Sequence, residues 1–210
     1  MPLDADSIRA RLPEREVVWL DTTASTMTEA AGRPPGTVVV ADHQSAGQGR
    51  QGRVWYSEKG TGLYVSVVLR PGIPPETLPT LTLALGLAVR EAILRSTGIA
   101  CGLKWPNDVL AGGRKCAGIL AQGTPAAVVA GVGINVNQET FPPELADSAT
   151  SLKLVSGRAH SRLELLVHLL EAVDKYAFLL QQEGSERIIG LYSRPPEIGD
   201  DHVVGAGCRQ

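Results

Sequence analysis

The chain has 210 residues, with 20 basic and 22 acidic side chains and a formal net charge of -2. Near-neutral charge excludes a global electrostatic pull towards nucleic acid or an anionic membrane, leaving only local basic segments to hold anions. Hydrophobic residues at 43% and charged residues at 20% exclude wholesale disorder, and the length suits one large domain or a domain with a small appendage. Cys101, Cys116 and Cys208 cannot all pair within one chain and lack metal-ligand spacing, so they read as thiols in a reducing cytoplasm, the first two as small core residues. The first twenty residues lack the apolar run of a signal peptide. The most apolar helical stretches carry Arg, Glu, Lys or His and read as too polar to span a bilayer.

In chain order, Ser7 is placed to cap a short helix through Arg11, and Val17–Leu20 reads as a strand. Ser25 or Thr26 caps a helix through Ala31, stopped by Gly32 and Pro34-Pro35. Thr37–Asp42 and Leu63–Leu69 are β-branched runs of buried-strand type. Residues 75–97 repeat leucine and alanine at helical spacing and end at Gly98, a C-terminal cap. Gly112-Gly113 predicts a hairpin between Val109–Ala111 and Arg114–Gln122, and Gly123–Pro125 turns the chain into Ala126–Asn135. A second long helix is expected over 161–182. Strands joined by short turns favour antiparallel pairing, so the predicted class is α+β: a mixed, mainly antiparallel sheet packed by helices. His202–Val204 could begin a strand in a loosely ordered tail.

Asp42–Arg53, DHQSAGQGRQGR, follows a buried strand directly. Its glycines let backbone amides crowd an anion, and Arg50 and Arg53 add planar donor forks for carboxylate or phosphate. Read alone it is equally an exposed surface loop, and it fits neither the P-loop nor the Rossmann pattern. Lys104–Asp108, KWPND, reads alone as a core tryptophan followed by a turn, and the glycines of Gly131–Asn137, GVGINVN, as a packing feature.

Together the segments say more. DTTAST (Asp21–Thr26), ADHQSAGQGRQGR (Ala41–Arg53), KWPND, RKCAGIL (Arg114–Leu120) and GVGINV occur in the order and approximate spacing of the biotin–protein ligases, which the chain resembles from about Trp19 to Asn137. The resemblance implies the biotin–lipoate ligase fold, related to class II aminoacyl-tRNA synthetases. It also implies a reaction in two steps. Biotin is adenylated by ATP with Mg²⁺, and the biotinyl group then passes to one lysine of a biotin carboxyl carrier domain of a carboxylase. It implies biotin contacts from Ser25, Thr26, Met27, Gln44, Gln48, Gly49, Arg50, Lys115 and Gly118. Arg53, Trp55, Lys104, Asn107 and Asn135 fall on the nucleotide side, and Asp108 is the candidate Mg²⁺ ligand. Lys115, bridging the biotin carboxylate and α-phosphate, and Arg50 are the implied catalytic residues.

Three positions depart from the family pattern. Met27 stands where Asn is usual, Gln48 where Arg or Lys is usual, and Gln122 where an acidic residue is common. The ends imply a catalytic domain over 1–193 and a tail, 194–210, where a small C-terminal β-barrel would begin. About twenty residues before the motifs are too few for a DNA-reading helical domain, so DNA binding is not expected. A monomer or a homodimer is expected. A lipoate or octanoate ligase of the same fold, or a binding module holding biotin or its adenylate without turnover, are the alternative readings.

Overall fold

The structure, a computed structural model, describes residues 3–124 and 126–194. The tail beyond Arg194, with His202–Val204 and Cys208, lies outside the described residues. The elements in order are α1 (Ala5–Arg11), β1 (Val17–Thr23), α2 (Thr26–Ala30), β2 (Val38–Gln44), β3 (Leu63–Leu69) and α3 (Leu78–Thr97). Then follow β4 (Gly102–Lys104), β5 (Asp108–Ala111), β6 (Arg114–Thr124), β7 (Ala127–Ile134), α4 (Leu152–Ser156) and α5 (Arg162–Tyr192).

The seven strands form one sheet in the order β1-β2-β3-β7-β6-β5-β4. Every neighbouring pair is antiparallel except β1 and β2, which run parallel with α2 in the connection between them. That pair departs from the antiparallel expectation because fourteen residues of connection, including a helix, replace a tight turn. Period-two alternation sorts the central strands cleanly. Val38 and Val40, Leu63, Val65 and Val67, Val128, Ala130, Val132 and Ile134 join the main core under the helices. Tyr64, Ser66, Gly131, Gly133 and Gly118 occupy the alternate positions, on the opposite face.

Helices α3 and α5 cover the core face side by side. Their contacts run in opposite order, Thr80 with Ser185, Glu91 with Tyr176 and Ser96 with His168, so the helices are antiparallel. Helix α3 ends on left-handed Gly98, whose N–H donates to Leu94, as the sequence predicts. Contrary to expectation, the segment Pro75–Thr97 is long and apolar enough by length and composition to cross a membrane. Apart from Glu76 near its start, its charges, Arg90, Glu91 and Arg95, crowd the C-terminal third and leave the stretch between apolar. In the fold that apolar surface is covered by α5 and the sheet.

Other boundaries shift for local reasons. Asp4 rather than Ser7 caps α1, its carboxylate accepting from the Ser7 N–H at 2.8 Å. Helix α5 continues past residue 182 to Tyr192, interrupted at Gly184, where φ is +77°. Its first residue, Arg162, is tied to the sheet by a partly buried ion pair with Asp42 at 2.6 Å. Cys101 and Cys116 are fully buried in the core, as expected. The Cys101 thiol beside it, with burial, pushes the Cys116 thiol well up and keeps it protonated.

Candidate active site

The face of the sheet opposite α3 and α5, with α2 at its inner end, holds a cavity of about 810 Å³. Its floor consists of the glycines that alternation puts there. Gly118 of β6 pairs with Gly133 of β7, leaving a bare patch on adjacent strands. The Trp55 ring lies on that patch: a Cβ at Gly133 would stand 2.4 Å from Trp55 Cε2, and one at Gly118 2.8 Å from Cζ3. Gly131 makes the same allowance for Met27, whose Sδ would be 2.5 Å from an added Cβ. The glycines of GVGINV and of RKCAGIL are therefore cut-outs for two side chains. Trp55 is held from its backbone, where its N–H donates to Gly47 O at 2.8 Å, and its buried Nε1 has no partner among the described residues.

At the inner end, buried polar groups form a chain. Ser66 donates to Thr26 Oγ1 at 2.8 Å, the Thr26 N–H and hydroxyl donate to Gln44 Oε1 at 2.8 and 3.1 Å, and Gln44 Nε2 donates to Ser57 at 3.0 Å. Thr26, Met27 and Gln44 line the cavity. Ser25 does not: it is buried, and its hydroxyl caps α2 by accepting from the Met27 N–H at 3.3 Å. Ser25, expected to contact biotin, thus seats Thr26 and Met27 from behind the lining.

The glycine–arginine loop folds back over the cavity. Gly49 N–H donates to Arg53 O at 2.7 Å, and Arg50–Gly52 makes one tight turn with Gln51 in the left-handed region at φ +57°. A non-glycine residue there stores strain, a feature common in ligand clamps. Gln48, exposed, donates to Thr28 Oγ1 at 3.1 Å and so ties the loop to α2. Arg50 Nη1 donates to Asn107 Oδ1 at 3.3 Å, while Asn107 Nδ2 holds Ile119 O at 3.1 Å. Arg53 and Lys104 line the mouth. Trp105, read from sequence as a core residue, is 74% exposed beside them, because β4 is an edge strand of only three residues and the chain turns outward after it.

Lys115 stands over the floor. Its Nζ is 2.6 Å from Asp108 Oδ1 and 5.3 Å from the Trp55 ring centroid. Asn135 also borders the cavity, but its Nδ2 donates to Thr150 O at 3.1 Å, fastening the end of β7 to the segment before α4. Sequence reasoning missed that segment: Lys115 N–H donates to Ser148 O, and Thr150 N–H to Lys115 O, both at 2.9 Å. Asp108 and Asp147 are the carboxylates of the lining, with the Asn107 amide next to Asp108 in the chain. Among the described residues no three His, Cys, Asp or Glu side chains cluster as a metal cage. Such a donor set fits Mg²⁺ that keeps most of its oxygen ligands on a nucleotide's phosphates and waters.

Residues 19–139 match the model of the biotin/lipoate A/B protein ligase family. The chain belongs to that family. Over 180 residues it is 43% identical to the bifunctional ligase/repressor BirA of Bacillus spizizenii, a match covering 80% of this chain and 55% of that protein. It is 38% identical over 216 residues to the biotin–[acetyl-CoA-carboxylase] ligase of Mycobacterium tuberculosis, covering 96% of this chain and 76% of that one. The matches to BirA of Bacillus spizizenii and Bacillus subtilis span about half of those proteins' length. Among solved structures, the Aquifex aeolicus biotin protein ligase in complex with biotin and ATP superposes with a TM-score of 0.78 at 36% identity. That match covers 84% of this chain and 76% of the other. The mixed, mainly antiparallel α+β fold expected from the sequence is the fold of these neighbours.

Proposed function

We propose that the chain is an ATP-dependent biotin–protein ligase of the cytoplasm, with residues 1–193 as its catalytic domain. The biotin carboxylate attacks the α-phosphorus of ATP and pyrophosphate leaves. The amine of an acceptor lysine, on a carboxylase's biotin carrier domain, then attacks the acyl carbon and AMP leaves.

One observation carries this reading. The cation assigned to the reacting groups, Lys115, lies above the glycine floor of the cavity whose inner end is the Thr26–Gln44 chain. A bicyclic ureido ring needs donors and acceptors at one end and an apolar bed beneath, and Gln44, Thr26, Met27 and Trp55 offer both. The valerate chain then extends towards Lys115. Carboxylate and triphosphate repel each other, so the first step needs charge neutralisation and orientation more than a strong base. Lys115 moves from Asp108 to the two incoming anions, Arg50 closes from above while held by Asn107, and Arg53 and Lys104 meet phosphate. Asp108 would hold Mg²⁺ together with the nucleotide, and the ion would supply further charge neutralisation on the phosphates. Closure of the loop excludes water from the mixed anhydride.

The test is to incubate the protein with biotin, ATP and Mg²⁺, with and without a carrier domain, and to follow both products by mass spectrometry. Biotinyl-5′-AMP without carrier and biotinylated carrier with it are expected. Adenylate formed from lipoate or octanoate, with none from biotin, would overturn the assignment.

A further inference from the structure

Lys115 and Gly118 lie three positions apart on β6, yet both open into the same cavity. Lys115 Nζ is only 3.3 Å from where a Gly118 Cβ would stand. In an unbroken strand, residues an odd number apart face opposite sides of the sheet. The alternation breaks at Cys116. Leu110 pairs with Lys115 and Val109 with Ala117, so Cys116 has no partner on β5 and forms a β-bulge. Cys116 and Ala117 consequently bury their side chains in succession in the core under the helices.

The bulge is braced on both sides. The Cys116 thiol donates to Val109 O at 3.4 Å, across the point where the register slips. Cys116 O accepts from the Asn135 N–H at 2.8 Å. Asn135 in turn holds Thr150 O, and the Ser148–Thr150 segment bonds to both backbone groups of Lys115.

We propose that Cys116 is a positioning residue: its side chain, anchored in the core, holds the bulge that turns Lys115 towards Asp108, Trp55 and the substrate cavity. With residue 116 seated instead on the cavity face, regular alternation would swing the Lys115 ammonium towards an apolar core, where a charge is costly. A small, weakly polar side chain suits the anchor because it fills the slot and caps the Val109 carbonyl. The consequence for rate rests on the ligase reading, whereas the placement of Lys115 does not.

Two measurements on the whole protein test this. In the first, lysines are reductively ¹³C-methylated, and the Lys115 resonance is identified by its absence in Lys115→Ala. With Nζ 5.3 Å from the Trp55 ring centroid, that resonance should be displaced in the parent protein. In Cys116→Gly it should move towards the position of exposed lysines, and in Cys116→Ser, which keeps size and donor, it should stay. In the second, kcat for adenylate formation should fall about tenfold in Cys116→Gly, with KM for biotin changed less than about twofold, and recover in Cys116→Ser. An unmoved resonance in folded Cys116→Gly overturns the proposal whatever the rates do. Equal loss in Cys116→Ser and Cys116→Gly also overturns it. A resonance that moves in Cys116→Gly, in a protein whose parent form makes no adenylate, supports the placement and rejects the ligase reading.

Discussion

Arg50 and Asn107 are joined across the mouth of the cavity, guanidinium to amide oxygen at 3.3 Å, while the same amide's nitrogen is anchored on Ile119 O at 3.1 Å. Asn107 thus couples the glycine–arginine loop to the sheet beneath it. Asn107→Ala removes both bonds and frees the loop. Losing about 1–1.5 kcal/mol of hydrogen bonding in the closed state should speed release of biotinyl-5′-AMP about tenfold. A chase experiment reads that rate, and an unchanged rate would mean that the loop is held by other contacts.

Lys115 is paired with Asp108 before any anion arrives. A charge that meets both reactants at the forming bond acts chiefly in the transition state. Lys115→Ala should therefore slow adenylation by about a hundredfold, on the order of 3 kcal/mol, with a much smaller loss in biotin affinity. Single-turnover kinetics beside equilibrium binding separates the two. Equal losses would make Lys115 a simple affinity contact.

The floor glycines can be tested by size alone. A methyl group at Gly133 would collide with the Trp55 ring at 2.4 Å, so Gly133→Ala must move the ring or the strand. Overpacking of this kind costs about 1–3 kcal/mol. The expected readouts are a changed near-ultraviolet tryptophan signal and weakened biotin binding. Native stability and an unaltered signal would mean that Trp55 does not rest on the floor in solution.

Away from the site, Glu91 receives Lys175 Nζ at 2.6 Å and the Tyr176 hydroxyl at 3.0 Å, clasping α3 to α5. Burial opposes the Glu91 charge, but the Lys175 and Tyr176 hydrogen bonds and the nearby Lys175 and Arg95 charges outweigh it and hold its carboxyl below the usual range. Burial, then the Glu91 carboxylate, push the Tyr176 hydroxyl up to about 12, so it stays a donor at neutral pH. A depressed carboxylate stabilises the fold above its unfolded-state pKa and loses that contribution as pH falls through the folded value. Glu91→Gln should cost about 1 kcal/mol at pH 7, a modest figure because the pair is partly solvated, and the difference from the parent should disappear in acid. Denaturant unfolding across pH 3–8 checks this. A constant difference down to the lowest pH would assign the effect to packing.

The parts of the fold legible in the sequence were those encoded by long local patterns. The apolar runs of β2 and β3 and the Gly112-Gly113 hairpin lie within a residue or two of their predicted bounds, and α3 ends where its leucine spacing predicts but begins three residues later. Edge strand β4, with three residues, and α4, with five, carry too little periodicity to register. The parallel pairing of β1 with β2 is a choice of partner, which no local pattern contains. Within the site, the residues singled out by the motifs all line the cavity except Ser25, which is turned inward by its capping bond at the start of α2. The bulge at Cys116 was invisible because Lys-Cys-Ala-Gly gives no hint of which residue goes unpaired.

The central claim is that this cavity joins biotin to AMP, and biotin-dependent exchange between ATP and labelled pyrophosphate tests it most directly. Exchange requires both substrates to bind and the first step to run in both directions. The account predicts exchange that needs Mg²⁺, saturates with biotin, falls about a hundredfold in Lys115→Ala, and is absent with lipoate or octanoate in place of biotin. No exchange above background in folded protein that binds biotin would contradict it, leaving a cavity that holds the vitamin without activating it.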